Sequence, residues 1–149
     1  MLGAVTPATR TTRPRHCSIA GALDVIGEKW SLLVVRELFL GVGRFSDIAT
    51  NTGAPRDILT ARLRRLEELG VVERRAYSER PPRYDYRLTA AGRDLLPVIM
   101  ALKHWGDRHV SGEFLPPVYE HSCGEVFEPR MDCAACGRPV RAAELARIE

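Results

Sequence analysis

The segment APRDILTARLRRLEEL, residues 54–69, constrains the fold of this chain most strongly, and Gly70 and the strand-like run VVERRAY follow it directly. At about 100° per residue, a helix places its aliphatic side chains in one arc. These side chains are Ile58, Leu59, Leu63, Leu66 and Leu69. The opposite side carries Asp57, Thr60, Ala61 and Arg64, with Arg56 and Arg65 on its flanks. The pattern predicts a helix over 55–68 with one buried face and one arginine-bearing exposed face.

A shorter apolar pattern precedes this helix and predicts another one over 45–50, with Phe45 and Ile48 facing inward. The turn at 51–53 contains Gly53, and Pro55 is typical of a first helical turn. Two short helices joined by a turn of three to four residues have the outline of a helix-turn-helix.

Two extended segments, 71–77 and 83–88, follow the second helix. In the later one, Tyr84, Tyr86 and Leu88 alternate with charged residues, which is typical of a half-buried strand. The residues between them, 78–82, include two prolines and predict a turn that cannot pair regularly. We therefore expect a hairpin wing over 74–87.

Helices are also predicted on both sides of this unit. The segments 17–26 and 28–40 have helical spacing, and the second is apolar nearly all round, which is typical of a central core helix. After the wing, Thr89 is expected to cap one long helix that Pro97 bends. The predicted fold class is mainly α with a small β-hairpin wing (α+β), a winged helix-turn-helix with flanking helices.

Charge is unevenly distributed along the 149 residues, whose net charge is only +3. Between residues 54 and 93, ten arginines outnumber six acids. Arginine makes forked contacts to phosphate and guanine, so an arginine-bearing helix beside a basic wing predicts a double-stranded DNA-binding surface. A solvated charged surface remains an alternative interpretation.

Three stretches in this order, CSIAGALDVIGEKWSLLVVRELFLGVGRFSDI, LTARLRRLEELGVVERR and PPRYDYRLTAAGRDLLPVIMALKHWG, resemble the HxlR-type family of winged-helix transcriptional regulators over residues 16–106. That family is similar to the MarR-type regulators in architecture. The resemblance implies a homodimer that represses or activates from a pseudo-palindromic operator. It also implies that residues 17–26 and 90–109 build the dimer interface.

The resemblance further implies that helix 55–68 lies in the major groove, where Thr60 and Arg64 would read bases. The wing would touch the minor groove or its phosphates. The candidate DNA-contacting residues are Arg56, Asp57, Thr60, Arg64, Arg65, Arg74, Arg75, Arg80 and Arg83. Arg62 falls within the apolar arc, so we expect it to pair with an inward acid or to reach a phosphate.

Three of the four cysteines lie close together near the C-terminus. Cys133 and Cys136 form a C-x-x-C-G pattern, and Cys123 and His121 precede it, so these four side chains predict a tetrahedral Zn²⁺ site in a zinc-ribbon-like extension. A standard ribbon would have C-x-x-C at both ends, whereas position 120 is Glu. Reduced thiols in a vestigial site and a Cys133–Cys136 redox pair remain open.

Cys17 stands alone at the start of the first predicted helix, beside His16, a position where thiols are generally more reactive. It is a candidate sensor of oxidants or electrophiles, although an isolated cysteine can equally be a small buried hydrophobic residue.

The expected organisation is a flexible arm over 1–15, a DNA-binding and dimerisation domain over 16–111 and the extension over 112–149. No catalytic constellation stands out, so no enzyme activity is expected, and His104, Asp107 and His109 are interpreted as solvated rather than metal-binding. Neither a signal peptide nor an apolar run of about 20 residues is present, which predicts a cytoplasmic protein without a membrane partner. A winged-helix module that binds only an acidic protein is the rival hypothesis.

Overall fold

A computed structural model describes residues 17–110, 112 and 117–146. The predicted arm over 1–15 and His16 lie outside these residues. The elements are α1 Ser18–Ile26, α2 Lys29–Phe39, α3 Phe45–Thr52, α4 Arg56–Glu68, β1 Val72–Glu79, β2 Pro82–Leu88, α5 Ala90–Arg93, α6 Leu96–His109 and a short 3₁₀ turn, Ala142–Glu144. This is the predicted α+β arrangement of helices around a small hairpin.

The core forms where α3, α4 and the base of the hairpin pack around α2. Val34 and Val35 of α2 are fully buried, as is Ile48 of α3. The buried side chains of α4 are Leu59, Leu63 and Leu66. Burying one such side chain stabilises a fold by about 1.5–3 kcal/mol. The central position of α2 and the apolar face of α4 are both confirmed.

The connection between α3 and α4 is a tight turn. Gly53 has a φ of 69°, a left-handed conformation that favours glycine. The Thr52 hydroxyl donates a hydrogen bond to the Ile48 carbonyl (2.6 Å) and accepts one from the Ala54 N–H (3.2 Å). Pro55 directly precedes α4. The predicted helix-turn-helix is confirmed, with α3 extending two residues further than expected.

The wing is an antiparallel pair whose register runs from Val72↔Leu88 to Glu79↔Pro82, with an irregularity between Ala76 and Ser78. The prediction that 78–82 is a turn without regular pairing was therefore wrong for Ser78, Glu79 and Pro82, which belong to the strands, and only the Arg80–Pro81 dipeptide is left at the tip. The hairpin has two strands, so the missing N–H of Pro82 removes no bond that the sheet requires. The Ser78 hydroxyl also donates to the Pro81 carbonyl (2.9 Å) and closes the tip.

The wing is tied to the loop between α2 and α3. The Tyr86 N–H donates to the Gly43 carbonyl (2.9 Å), and Arg44 and Asp85 form an antiparallel bridge. A Cβ at Gly43 would collide with the Asp85 carboxylate and lie 2.6 Å from the Tyr86 carbonyl oxygen. Glycine is required here because the two backbones approach so closely.

The single long helix predicted after the wing is wrong, because the chain forms α5 and α6 instead. The Thr89 hydroxyl does cap a helix by accepting from the Gly92 N–H (3.1 Å), but that helix has four residues. Pro97 lies in the first turn of α6, where a missing N–H costs little, so it starts this helix rather than bending it. Within the described part of the chain, no helix is long and apolar enough to cross a membrane.

Candidate nucleic-acid interface

The outward face of α4 carries the residues that were predicted there. Asp57, Thr60 and Arg64 are exposed. The Thr60 hydroxyl donates to the Arg56 carbonyl (2.7 Å), which leaves its oxygen as an acceptor and its methyl group exposed. Among the described residues, no carboxylate lies within 4.0 Å of the Arg64 guanidinium. Arg64 is thus a cation free to bind an anion or a base edge.

The two flanking arginines of α4 differ in their surroundings. The Arg56 guanidinium lies 5.0 Å from the centroid of the Phe45 ring, a cation–π contact that holds it beside the start of α3. The Arg65 guanidinium lies 3.7 Å from the Glu68 carboxylate, and both side chains are exposed. A partner for Arg65 therefore has to compete with a weak surface ion pair.

Arg62 is the arginine predicted to pair with an acid. Its Nη1 lies 2.5 Å from Oε1 of Glu28, which precedes α2. The acid is exposed rather than inward, but the pairing is confirmed. In the part of the chain that the structure describes, the buried Nε of Arg62 has no hydrogen-bond partner. This side chain serves packing between α2 and α4 and does not point to a base-reading role.

Most wing arginines are held by acids of the same subunit. Arg74 lies 3.1 Å from the Glu67 carboxylate and stacks on Tyr84 at 4.8 Å. Arg75 pairs with Glu73 at 3.1 Å, and Arg87 pairs with Asp85 at 3.3 Å. The paired strands of the wing therefore carry little net charge away from the tip.

The tip of the wing is different. Arg80 and Arg83 are exposed, and no described carboxylate lies within 4.0 Å of either guanidinium. Among the described residues of α4 and the wing, arginines without an ion-pair partner thus lie at two places, the outward side of α4 and the tip of the hairpin. Lower on the hairpin, burial raises the pKa of the Tyr86 phenol, and the nearby Arg74 opposes part of that shift. The phenol is therefore neutral at neutral pH.

Arg44 was missed by the sequence reasoning. It is exposed directly before α3, and its guanidinium lies 5.5 Å from the centroid of the Tyr77 ring in β1. This places a further cation between the helix-turn-helix and the wing. In the sequence, the role of Arg44 is indicated only by its position as a single basic residue directly after Gly41-Val42-Gly43.

A buried polar network, also missed, joins α2 to α3. Glu37 is 3% exposed and accepts hydrogen bonds from Arg36 (2.7 and 2.9 Å) and from the Asn51 amide (2.8 Å). Because a buried carboxylate needs such partners, the network fixes α3 against the core. In the sequence, this network is indicated by an acid, Glu37, within the mostly apolar segment that forms α2.

The four cysteines belong to neither α4 nor the wing. Cys17 is exposed at the residue before α1. In the extension, Nδ1 of His121 lies 3.2 Å from Sγ of Cys123, and Cys133 and Cys136 share one turn. No three described His, Cys, Asp or Glu side chains form a group that could hold a metal ion.

Cys136 has a distinctive environment within its turn. Hydrogen bonds from the Arg138 backbone N–H, and then from the Arg138 and Cys133 side chains, hold the pKa of its thiol below the ordinary value. The thiolate fraction at neutral pH is therefore increased.

Two short helices across a tight turn, followed by a hairpin with a basic tip, define a winged helix-turn-helix protein. A family profile described as HxlR-like helix-turn-helix matches residues 25–114. The chain belongs to this family, and it is a transcriptional regulator of the winged-helix type.

Relatives and solved structures agree with this assignment. An uncharacterized HTH-type transcriptional regulator of Mycobacterium tuberculosis is 46% identical over 127 residues, which cover 84% of this chain and 80% of the relative. The candidate transcription factor PA1607 is 34% identical, with a TM-score of 0.75, covering 89% of this chain and 94% of its own. The redox regulator HypR in its reduced form is also 34% identical, with a TM-score of 0.58, covering 62% of this chain and 92% of its own.

Proposed function

We propose that this regulator binds a pseudo-palindromic DNA operator as a homodimer, with α4 in the major groove and the wing tip at the adjacent minor groove. The observation that carries the proposal is the location of uncompensated charge. Arg64 on α4 and Arg80 and Arg83 at the tip have no carboxylate within 4.0 Å in the described residues. The other arginines of the wing and Arg65 are engaged in intramolecular ion pairs, whereas Arg44, between the helix-turn-helix and the wing, contacts the Tyr77 ring instead.

Within this arrangement, α4 supplies the sequence readout. Arg64 is suited to a bidentate contact with guanine, and Thr60 offers a methyl group to thymine and an acceptor oxygen to cytosine. Arg56 and Asp57 lie in the first turn of α4, at the entry to the groove. Three further arginines would have to leave an acidic partner to bind phosphate, namely Arg65, Arg74 and Arg75. Such phosphate contacts would fix the position of the protein on the duplex without reading its base sequence.

The homodimer is supported by an apolar surface on the flanking helices. Ile19 and Leu23 of α1 are 70% and 57% exposed, and Leu102 and Trp105 of α6 are 50% and 57% exposed. Exposed large apolar side chains favour association, since each Å² removed from water contributes about 25 cal/mol. A two-fold dimer would present two copies of α4 to half-sites about one helical turn, or a multiple of it, apart.

Selection from a randomised duplex pool tests this function. The full-length protein is expected to enrich an inverted repeat, and affinity for that duplex is expected to fall steeply as salt increases. Failure to enrich any repeat, together with no retention of duplex DNA in dilute buffer, would contradict the proposal. If the protein bound no duplex DNA but did bind an acidic protein, the hypothesis of a protein-interaction module would be favoured.

A response to oxidants through Cys17 is a second candidate function. Cys17 is exposed and directly precedes α1, the helix that carries Ile19 and Leu23. A similar protein, HypR, is described as a redox regulator with reduced and oxidised forms. Oxidant is expected to release the native protein from its operator but to leave Cys17→Ser bound. A Cys133→Ser/Cys136→Ser variant serves as the control, and release of Cys17→Ser by oxidant would eliminate the idea.

A further inference from the structure

The C-terminal extension, residues 117–146, is folded without a core of its own. None of these residues is buried, and only Tyr119, Pro129 and Val140 are half-buried. Val126 and Met131 are 62% and 73% exposed. Units below about 40 residues generally need a disulfide, a metal or a partner to hold their shape, and all four cysteines of the chain are free.

The first half of the extension is a compact turn closed by a Glu120↔Val126 bridge. Its backbone is held by the His121 N–H donating to the Glu125 carbonyl (2.8 Å) and the Gly124 N–H donating to the His121 carbonyl (2.8 Å). Gly124 has a φ of 89°. This turn brings the imidazole of His121 and the thiol of Cys123 together at 3.2 Å, with both side chains exposed.

The second half repeats this plan. An Asp132↔Pro139 bridge closes the turn, and the Gly137 N–H donates to the Cys133 carbonyl (2.7 Å). Gly137 has a φ of 68°. Each turn therefore ends in a cysteine followed by a glycine in the left-handed region, which lets the backbone fold back, and the thiols of both turns are exposed.

We propose that His121, Cys123, Cys133 and Cys136 together bind one Zn²⁺ ion, which acts as the structural centre of the extension. In the structure the donors stand as two pairs, and no three described side chains form a group that could hold a metal. Binding therefore has to bring the two turns together. Three thiols and one imidazole match the tetrahedral donor sets of structural zinc sites.

Zinc would supply the stability that apolar burial does not. The thiols lose their protons on coordination, and the free energy of binding becomes free energy of folding for the extension. The four donors close the coordination sphere, so the site has no open position for a substrate. Its role is to hold the extension in one shape.

The metal would also determine how the extension lies on α6. The His121 ring lies 6.5 Å from the Phe127 ring. Phe127 and Tyr119 line a groove of about 410 Å³ with Phe39 of α2 and Met100 of α6. A fixed His121 would thus keep these aromatic rings against the same helix that carries Trp105.

Elemental analysis of the full chain, purified without chelator or affinity metal, tests the site directly. We expect about one zinc ion per chain, and at least about a tenfold loss in a Cys133→Ser/Cys136→Ser variant. Cys17→Ser is the matched control, because it removes a thiol outside the site, and its zinc content should equal the native value. Less than about a tenth of an equivalent in the native protein, another metal in place of zinc, or undiminished zinc in the double variant would overturn the proposal.

Two further measurements separate a built site from loose binding. His121→Ala should lose its zinc faster than the native protein in competition with a chelator, and equal retention would overturn the assignment of His121. Chelator should accelerate amide exchange in 117–146 but not in α4, because the extension contributes no buried residue to the core. Unchanged exchange in 117–146 would overturn a structural role. Neither measurement uses DNA, so failure here is distinguishable from failure of the proposed function.

Discussion

Replacement of Arg64 by alanine is the sharpest test of whether α4 reads DNA. Arg64 is exposed and, in the described ranges, has no carboxylate within 4.0 Å, so its loss should leave the free protein folded. A bidentate arginine–guanine contact is worth about 1–3 kcal/mol. A dimer has two such contacts, so the cognate duplex should lose about 2–6 kcal/mol, which corresponds to about 30-fold to 10⁴-fold weaker binding.

The assay is fluorescence anisotropy with the selected duplex and a scrambled one, each at several salt concentrations. If Arg64 reads a base, the loss should be confined to the selected duplex and the salt dependence should change little. If it binds phosphate, both duplexes should weaken, and the slope of log K against log salt should fall by about 1.8 per dimer. The matched control is Arg130→Ala, which removes an exposed arginine of the extension that pairs with Asp132 at 3.4 Å. Affinities within about twofold of native on both duplexes, with the dimer intact, would refute the assignment of α4 as the reading helix.

Three further predictions concern stability and assembly. Gly43→Ala should displace the wing and reduce the free energy of unfolding by about 1–3 kcal/mol, because the new Cβ would lie 2.6 Å from the Tyr86 backbone carbonyl oxygen, which cannot rotate away; urea denaturation measures the loss, and native stability would contradict the close approach. Leu63→Ala, at a site 1% exposed, should cost about 2–5 kcal/mol in the same experiment, whereas a change within experimental error would show that α4 is not packed as described. Trp105→Glu should convert the proposed dimer to monomers in sedimentation velocity, and a dimer that persists in this variant would exclude this face of α6 from the interface.

The sequence predicted the elements that depend on local periodicity. The apolar arc of α4 and the turn at Gly53 could be predicted because helical spacing and left-handed glycine are properties of adjacent residues. The pairing of the wing tip and the division of the last helix could not. Both depend on how prolines are accommodated, Pro82 at the end of a strand and Pro97 at the start of a helix.

The candidate site shows the same division. Exposure of Arg64 and Thr60 followed from the position of the apolar arc. Which acid neutralises each arginine did not, because Arg62, which was expected to pair with an acid, pairs with Glu28, 34 positions earlier in the chain. Such pairings are set by the tertiary packing of α2 on α4, and the sequence order carries no direct signal of them.

The hydrogen bond between Tyr86 and Gly43 has a consequence for control of this regulator. It joins the hairpin to the loop that precedes α3. In the proposed complex, each subunit would therefore contact the duplex at two points, α4 and the wing tip, whose spacing is held by the fold. A signal that weakens DNA binding would therefore find little geometry to change within one subunit. What can change is the distance and relative orientation of the two subunits in the proposed dimer. We expect any signal that switches this protein to act by changing that distance or orientation.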